Sequence, residues 1–322
     1  MVKKYVFGPV PSRRLGLSLG VDLVCPKTCS LNCIYCEAKE TTNLTTERKE
    51  YVPIKEVIAE LDEVLREKPK IDFVTFSGAG EPTLNSKIGN VVDFLKNSYP
   101  EYKICLLTNA IGLGDPEVRR QIADIDLIVP SLDASNAQEF KQINRPASGI
   151  DFDRFVGDMT DFCRTTKSVV NLELFIVPGI NDSDESIARF AKIIKEMQVD
   201  LVQLNTLDRP GAVDGILPST AENTRRFIIA FEPFVRVEAI GHFRYRTPET
   251  TTESNLLCGT EKRILDLISR RPATILDLQT ALCKPENELE HILKKLFNAG
   301  LLEMQKEERG VFYAAPHYKQ SK

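Results

Sequence analysis

Cys25-Pro26-Lys27-Thr28-Cys29-Ser30-Leu31-Asn32-Cys33-Ile34-Tyr35-Cys36 gathers four of the chain's eight cysteines, and the last three are spaced C-x3-C-x2-C. The run follows Leu17–Val24, an apolar stretch that reads as a strand. Thiols so close together share one loop and can wrap a compact polynuclear centre. A structural zinc site takes two ligand pairs separated by a longer loop, or distant histidines. No second pair follows, and His242, His291 and His317 lie far downstream. A thioredoxin-type pair at Cys33 and Cys36 would leave Cys29 without a role. Three thiolates around a four-iron cubane leave one iron without a protein ligand. That iron can chelate a small molecule through nitrogen and oxygen, whereas an electron-transfer ferredoxin closes every position.

Outward from the cysteines, strand and helix patterns alternate. Ile54, Val57, Ile58, Leu61, Val64 and Leu65 fall at i, i+3, i+4, i+7 spacing, which predicts an amphipathic helix. Strands are expected at Asp72–Ser77, Lys103–Thr108, Asp126–Leu132, Asn171–Val177, Asp200–Thr206 and Phe234–Ile240. Helices are expected near Lys87–Lys96, Pro116–Ile122, Asp151–Thr165, after the N-cap Ser183, and at Thr220–Phe231. Repeated βα order with short apolar strands predicts a parallel sheet buried on both sides. Pattern alone leaves a partial barrel and an open doubly wound sheet as alternatives.

Composition narrows the class. At 322 residues the chain has room for two domains, and 42% hydrophobic with 27% charged residues excludes a disordered or collagen-like chain. A net charge of −4 argues against a bulk nucleic-acid binder. No apolar run reaches the ~18–20 residues of a membrane helix, and Gly8-Pro9-Val10-Pro11 stands where a signal peptide would carry its apolar core. A cytoplasmic protein without membrane association is expected.

Residues 1–246 are expected to form the βα unit and 247–257, polar and without periodicity, a linker. In 258–322, helices around Ile264–Ile268, Ile275–Leu282 and Leu289–Leu296 are followed by strand-like Leu302–Lys306 and Gly310–Ala314, a winged-helix-like order. The third helix opens with Glu286, Glu288 and Glu290, which would face phosphates unfavourably, and the unit counts 11 basic against 9 acidic residues, or +2. DNA binding is therefore not expected; docking to a protein, a peptide or the barrel mouth is.

Cys29-x3-Cys33-x-Tyr35-Cys36 resembles the signature of the radical S-adenosylmethionine superfamily. The resemblance implies a partial TIM-like barrel of about six βα units, with a 4Fe–4S cluster on Cys29, Cys33 and Cys36 and S-adenosylmethionine on the remaining iron. It implies reductive cleavage of the cofactor to a 5′-deoxyadenosyl radical that abstracts hydrogen from substrate. Gly78-Ala79-Gly80-Glu81 resembles the superfamily's glycine–glycine–glutamate segment, which implies that Gly78, Gly80 and Glu81 accept hydrogen bonds from the methionine ammonium. By the same resemblance Thr108, Asn109, Ser131 and Asp133 hold the methionine carboxylate and the ribose hydroxyls, while Tyr35, Val177, Leu204 and Asn205 support adenine. The segments Gly8–Gly20, Ser77–Thr83 and Asn205–Pro210 resemble a branch of iron–sulfur oxidoreductases grouped with wyosine-synthesis enzymes. Such an enzyme would carry a second cluster, for which the isolated Cys25, Cys105 and Cys163 offer no grouped ligand set.

Arg13, Arg145 and Arg209 recur beside Pro, Gly or another arginine in loops and are candidates for binding an anionic group of the substrate. Cys25 is expected to be a neighbouring thiol, the alternative being a fourth cluster ligand that would close the open iron; Cys105 and Cys163 are expected to be core thiols. A low-potential donor, ferredoxin or flavodoxin, is implied, with a small metabolite, a peptide or an RNA nucleoside as substrate. The rival function is an iron–sulfur-sensing winged-helix transcription regulator, which would have no use for a cofactor cradle at Gly78–Glu81.

Overall fold

β1 (Val6–Ser12) runs antiparallel to β2 (Gly16–Val21), and the cysteine loop that follows carries a short parallel pair, β3 (Thr28–Cys29) with β4 (Asn43–Leu44). α1 (Ile54–Leu65) leads to β5 (Phe73–Phe76), α2 (Ile88–Ser98) to β6 (Lys103–Thr108) and α3 (Pro116–Gln121) to β7 (Leu127–Pro130). α4 (Ala137–Ile143) and α5 (Phe152–Thr165) lead to β8 (Val169–Ile176), α6 (Asp184–Met197) to β9 (Leu201–Thr206), and α7 (Ala221–Phe231) to β10 (Arg236–Ala239). The structure, a computed structural model, describes residues 4–12, 14–240, 260–282, 284–307 and 310–316.

The large sheet has the order β1-β2-β5-β6-β7-β8-β9-β10, with every pair from β2 onward parallel. The order never reverses. Right-handed crossovers that all step the same way keep the helices on one face, whereas a doubly wound sheet reverses at a switch point. The architecture is therefore a partial barrel, with β1 and β10 unpaired to each other among the described residues.

Alternation along the strands divides the apolar residues into two sets. Leu19, Val21, Val74, Phe76, Ile104, Leu106, Leu172 and Leu204 face the helices and pack against Val57, Leu61, Val91, Phe155, Phe190 and Phe227. Leu15, Phe73, Cys105, Leu107, Leu127 and Val129 fill the inner side of the curve. Cys105 and Cys163 are both buried, as expected of core thiols.

Three features were not read from the sequence. The segment around Pro9 and Pro11 is a strand; at the edge of a sheet proline removes no ladder bond on the open side, and the register shifts between Phe7 and Val10. α4 was not anticipated: it is short, and its start is fixed by Asn136, whose side chain accepts from the backbone N–H groups of Gln138 and Glu139. β2 ends at Val21, three residues short of the Val24 expected from sequence, so the loop towards the cysteines starts at Asp22.

The C-terminal part comprises α8 (Thr260–Arg270), β11 (Ala273–Thr274), α9 (Ile275–Leu282), α10 (Glu286–Asn298), β12 (Glu303–Glu307) and β13 (Gly310–Ala314). Its antiparallel sheet has the order β11-β13-β12, and Ile264, Ile268, Leu278, Leu289, Leu293 and Leu296 form a separate core. This is the winged-helix order. α8 and α9 lie against β1, covering an edge strand that would otherwise offer unpaired backbone groups. The expected linker at 247–257, together with Cys258 and Cys283, lies outside the described residues. Among the described residues no helix is long and apolar enough to cross a membrane.

Candidate active site

The cysteine loop lies at the carboxyl end of β2, where barrel strands present ligand-binding groups. Three neighbouring loops hold its backbone. From the loop after β5, Ala79 O accepts from Lys27 N, while Glu81 N donates to Thr28 O at 3.0 Å. From the α4–α5 side, Asn144 O accepts from Asn32 N and Ile143 O from Ile34 N, each at 2.9 Å. From beyond β9, Val213 N donates to Ile34 O at 3.0 Å. The first contact requires glycine at position 80, because a Cβ there would stand 2.3 Å from Thr28 O and 2.6 Å from Val24 Cγ2. Gly78, at φ +120°, occupies backbone space that side chains rarely reach. Lys27 Nζ donates to the carbonyls of Ala38 and Lys39, and burial pulls its pKa below the ordinary lysine value.

Two of the three sulfurs receive N–H donors. Asn109 Nδ2 and Leu31 N each lie 3.4 Å from Cys29 Sγ, and Asn144 Nδ2 lies 3.3 Å from Cys33 Sγ. Burial, and next the Glu81 carboxylate, pushes the Cys29 thiol up to about 12; burial also raises Cys33 well above its ordinary value. Sulfurs held this dry need either a proton or a metal centre to balance the charge. Among the described residues no three His, Cys, Asp or Glu side chains converge on a single ion. A polynuclear cluster takes each thiolate on a different iron, so one loop of three half-buried cysteines, two of them with N–H donors at the sulfur, fits it. Cys25 is exposed, its thiol donating to Tyr51 O at 3.2 Å.

Glu81 was expected to receive the methionine ammonium. Its buried carboxylate already accepts four hydrogen bonds: Oε1 from Thr83 N at 3.0 Å, Thr83 Oγ1 at 2.6 Å and Thr108 Oγ1 at 2.7 Å, and Oε2 from Asn109 N at 2.7 Å. Burial raises its pKa against the opposing pull of these donors. Glu81 thus ties the ends of β5 and β6 together and keeps Oε2 as its less committed oxygen. Thr108 and Asn109, expected at the methionine carboxylate, belong to the same cluster; Asn109 also donates to Ser30 Oγ at 2.9 Å.

Asp133 is likewise turned inward. Its Oδ2 accepts from Tyr35 OH and from Asn144 Nδ2 at 2.9 Å, and its Oδ1 from Phe175 N at 3.0 Å. The Tyr35 ring stacks on Phe175 with centroids 3.9 Å apart and planes 8° apart. Burial raises the pKa of both Asp133 and Tyr35. Val177 shares the apolar cluster of Tyr35 and Phe175. Ser131 stands at the end of β7, and its hydroxyl makes no hydrogen bond among the described residues. Asn205 is buried and donates to Glu173 Oε1 at 3.1 Å. Leu204 corrects an expectation: its side chain faces the helices and its carbonyl accepts from Ile240 N at 2.8 Å, so it turns away from the mouth. Asn144 and Phe175 were not singled out from sequence. Asn144 is one polar residue beside a loop arginine, and Phe175 is one apolar residue in an apolar strand.

The arginines part company. Arg13 lies outside the described residues. Arg145 is exposed beside the cysteine loop at φ +44°, its carbonyl accepting from Asn32 N. Arg209 is buried, its guanidinium paired with Glu37 at 3.1 Å and Asp277 at 3.2 Å. A guanidinium enclosed by carboxylates is not offered to an external anion, which corrects the expectation of a substrate contact there.

A partial barrel with three cysteines on the loop after its first parallel strand defines a class, and the comparisons agree. The family model for the radical SAM superfamily matches residues 23–191. A radical SAM methyltransferase from Sphaerobacter thermophilus superposes with a TM-score of 0.56 at 17% identity, covering 69% of this chain and 66% of that one, a likeness of fold. The Streptococcus suis SuiB structure with bound S-adenosylmethionine gives 0.51 at 14% identity, covering 69% and 50%. The chain belongs to the radical SAM superfamily.

Within it the chain belongs with the UPF0026 proteins: that of Methanocaldococcus jannaschii is 30% identical over 312 residues, 95% of this chain and 94% of the relative. A protein named GTPase Obg from Brachyspira hyodysenteriae is 34% identical over 297 residues, 92% of this chain, which spans 43% of that protein. The chain is accordingly an enzyme of S-adenosylmethionine-dependent radical chemistry, with a 4Fe–4S cluster and S-adenosylmethionine as cofactors and a need for a reductant.

Proposed function

We propose that the enzyme cleaves S-adenosylmethionine to a 5′-deoxyadenosyl radical and uses it to take a hydrogen atom from its substrate. The observation that carries this is the half-buried loop of Cys29, Cys33 and Cys36 at the barrel mouth, with N–H groups directed at two of its sulfurs. When bound, the cluster supplies the electron that breaks the sulfonium bond. The three cysteines hold it, and Asn109 and Asn144 stabilise negative charge on the sulfurs. Gly78, Gly80 and Glu81 present acceptors to the methionine ammonium, Glu81 through Oε2. Ser131, with Thr108 and Asn109, supplies polar groups for the carboxylate and ribose. Val177 and the Tyr35–Phe175 stack form an apolar wall for adenine, with Asn205 beside it. Asp133 holds that wall in place through Tyr35.

A ferredoxin or flavodoxin fits the reductant, and the substrate is a small metabolite, a peptide or an RNA nucleoside. Residues 1–246 form the catalytic unit on this account, and 258–322 an appended unit that docks on the barrel instead of reading DNA. The contacts of α8 and α9 with β1 support docking, and an enzyme family gives the regulator alternative no support. The test is anaerobic incubation of the cluster-loaded enzyme with dithionite and S-adenosylmethionine. It should yield 5′-deoxyadenosine even without substrate, and Cys33→Ala should yield none. A fully loaded enzyme that leaves the cofactor intact would refute the proposal.

A further inference from the structure

The loop after β9 runs back across the cysteine loop: Lys39 Nζ donates to Gly211 O at 2.8 Å, and Val213 N to Ile34 O at 3.0 Å. Arg209, in this loop, has a side chain only 3% exposed. Its Nη1 lies 3.1 Å from Glu37 Oε2, next to Cys36, and 4.0 Å from Asp208 Oδ2. Its Nη2 lies 3.2 Å from Asp277 Oδ2 in the first turn of α9. That carboxylate is anchored within the C-terminal unit, where it accepts from Thr274 N at 3.0 Å.

We infer that Arg209 is a positioning residue that couples the docking of the C-terminal winged-helix unit to the shape of the cysteine loop. The inference rests on the cofactor role proposed for that loop. Its physical basis is the guanidinium's fork, which presents separate nitrogens to two segments at once; a lysine ammonium is a single point charge. Burial strengthens both pairs, and it makes the loss of either partner costly because the remaining charges stay dry. If α9 moves off, Arg209 keeps Glu37 and Asp208 but loses the anchor that fixes its direction. If the cysteine loop shifts, Glu37 moves with it and the grip on Asp277 changes. The C-terminal unit is thus part of the frame of the active site, and a partner that lifts α9 would loosen the cofactor loop.

Hydrogen exchange on the full-length chain tests this, with Asp277→Asn as the main variant because Asp277 touches neither a cysteine nor a proposed cofactor contact. Amide exchange should rise about tenfold or more in α9 and also in Lys27–Lys39, the scale expected when a buried charge pair loses one partner. Glu37→Gln should give the reciprocal result, faster exchange in α9. Arg209→Lys should fall on the same side as the two other variants. S-adenosylmethionine affinity of the loaded enzyme should fall in Asp277→Asn at unchanged iron content. Exchange that rises in α9 alone, with the cysteine loop as protected as in the wild type, would overturn the coupling. So would a Glu37→Gln variant whose α9 exchange is unchanged. The exchange measurement is also made on cluster-free chain, so failure to form 5′-deoxyadenosine would count against the cofactor proposal and not against this one.

Discussion

Asn144 spends one side-chain amide on two neighbours: its Nδ2 lies 3.3 Å from Cys33 Sγ and 2.9 Å from Asp133 Oδ2. One amide donor is thereby shared between a sulfur and a carboxylate oxygen. The cluster loop and the aromatic wall are joined at this point.

Asn144→Leu removes the donor to Cys33. Hydrogen bonds to cluster sulfurs favour the more negative, reduced state, so the reduction potential should move negative by tens of millivolts in a spectroscopic redox titration. An unchanged potential would mean that the contact does not reach a ligating sulfur.

Tyr35→Phe keeps the stack on Phe175 but deprives the buried Asp133 carboxylate of a donor. Apo-protein stability in urea should drop by about 1–3 kcal/mol at neutral pH. Burial holds the Asp133 pKa above its ordinary value, so the folded state favours the protonated form. The ionised carboxylate therefore costs stability above its folded pKa, and this cost is relieved as pH falls through that pKa. The gap between variant and wild type should narrow on acidification; a constant gap would place the loss elsewhere.

Gly80→Ala puts a methyl group where Thr28 O would be 2.3 Å away. The turn must move off the cysteine loop, breaking the bonds through Ala79 O and Glu81 N. S-adenosylmethionine binding should weaken by roughly tenfold or more, while Ala79→Gly, which adds no atoms, should cost less than about 1 kcal/mol. Equilibrium dialysis under anaerobic conditions distinguishes the two.

Cys105 sits inside the barrel, and burial pushes its thiol from 9.0 up to about 12. The folded state then holds a proton that the unfolded chain loses above pH 9.0, so the stabilisation is present below that pH and fades as pH rises toward 12. The stability difference between wild type and Cys105→Ala should decline above pH 9.0 by up to about 1.4 kcal/mol per unit. A difference that does not vary with pH would show a thiol that ionises freely in the folded state.

The spacing of Cys29, Cys33 and Cys36 announces its chemistry because loop ligands are local in sequence, and βα alternation announces the barrel because each strand pairs with the next. Other features are not local. Arg209 reads as a loop arginine until Glu37 and Asp277, 172 and 68 residues away, close around it. Glu81 and Asp133 look like ligand contacts, yet a buried carboxylate must collect donors, and the sequence does not say whether a cofactor or the protein provides them. Leu204 differs from Gln203 and Asn205 only by one step of a period-two strand, and that step sends it to the opposite face.

The central claim is that three cysteines hold the cluster and leave one iron to S-adenosylmethionine. Mössbauer spectroscopy of iron-57-loaded enzyme, before and after adding the cofactor, tests it most directly. One iron site should change its isomer shift on addition, in Cys25→Ser as in the wild type. A spectrum that the cofactor leaves unaltered, with every iron already in sulfur coordination, would contradict it.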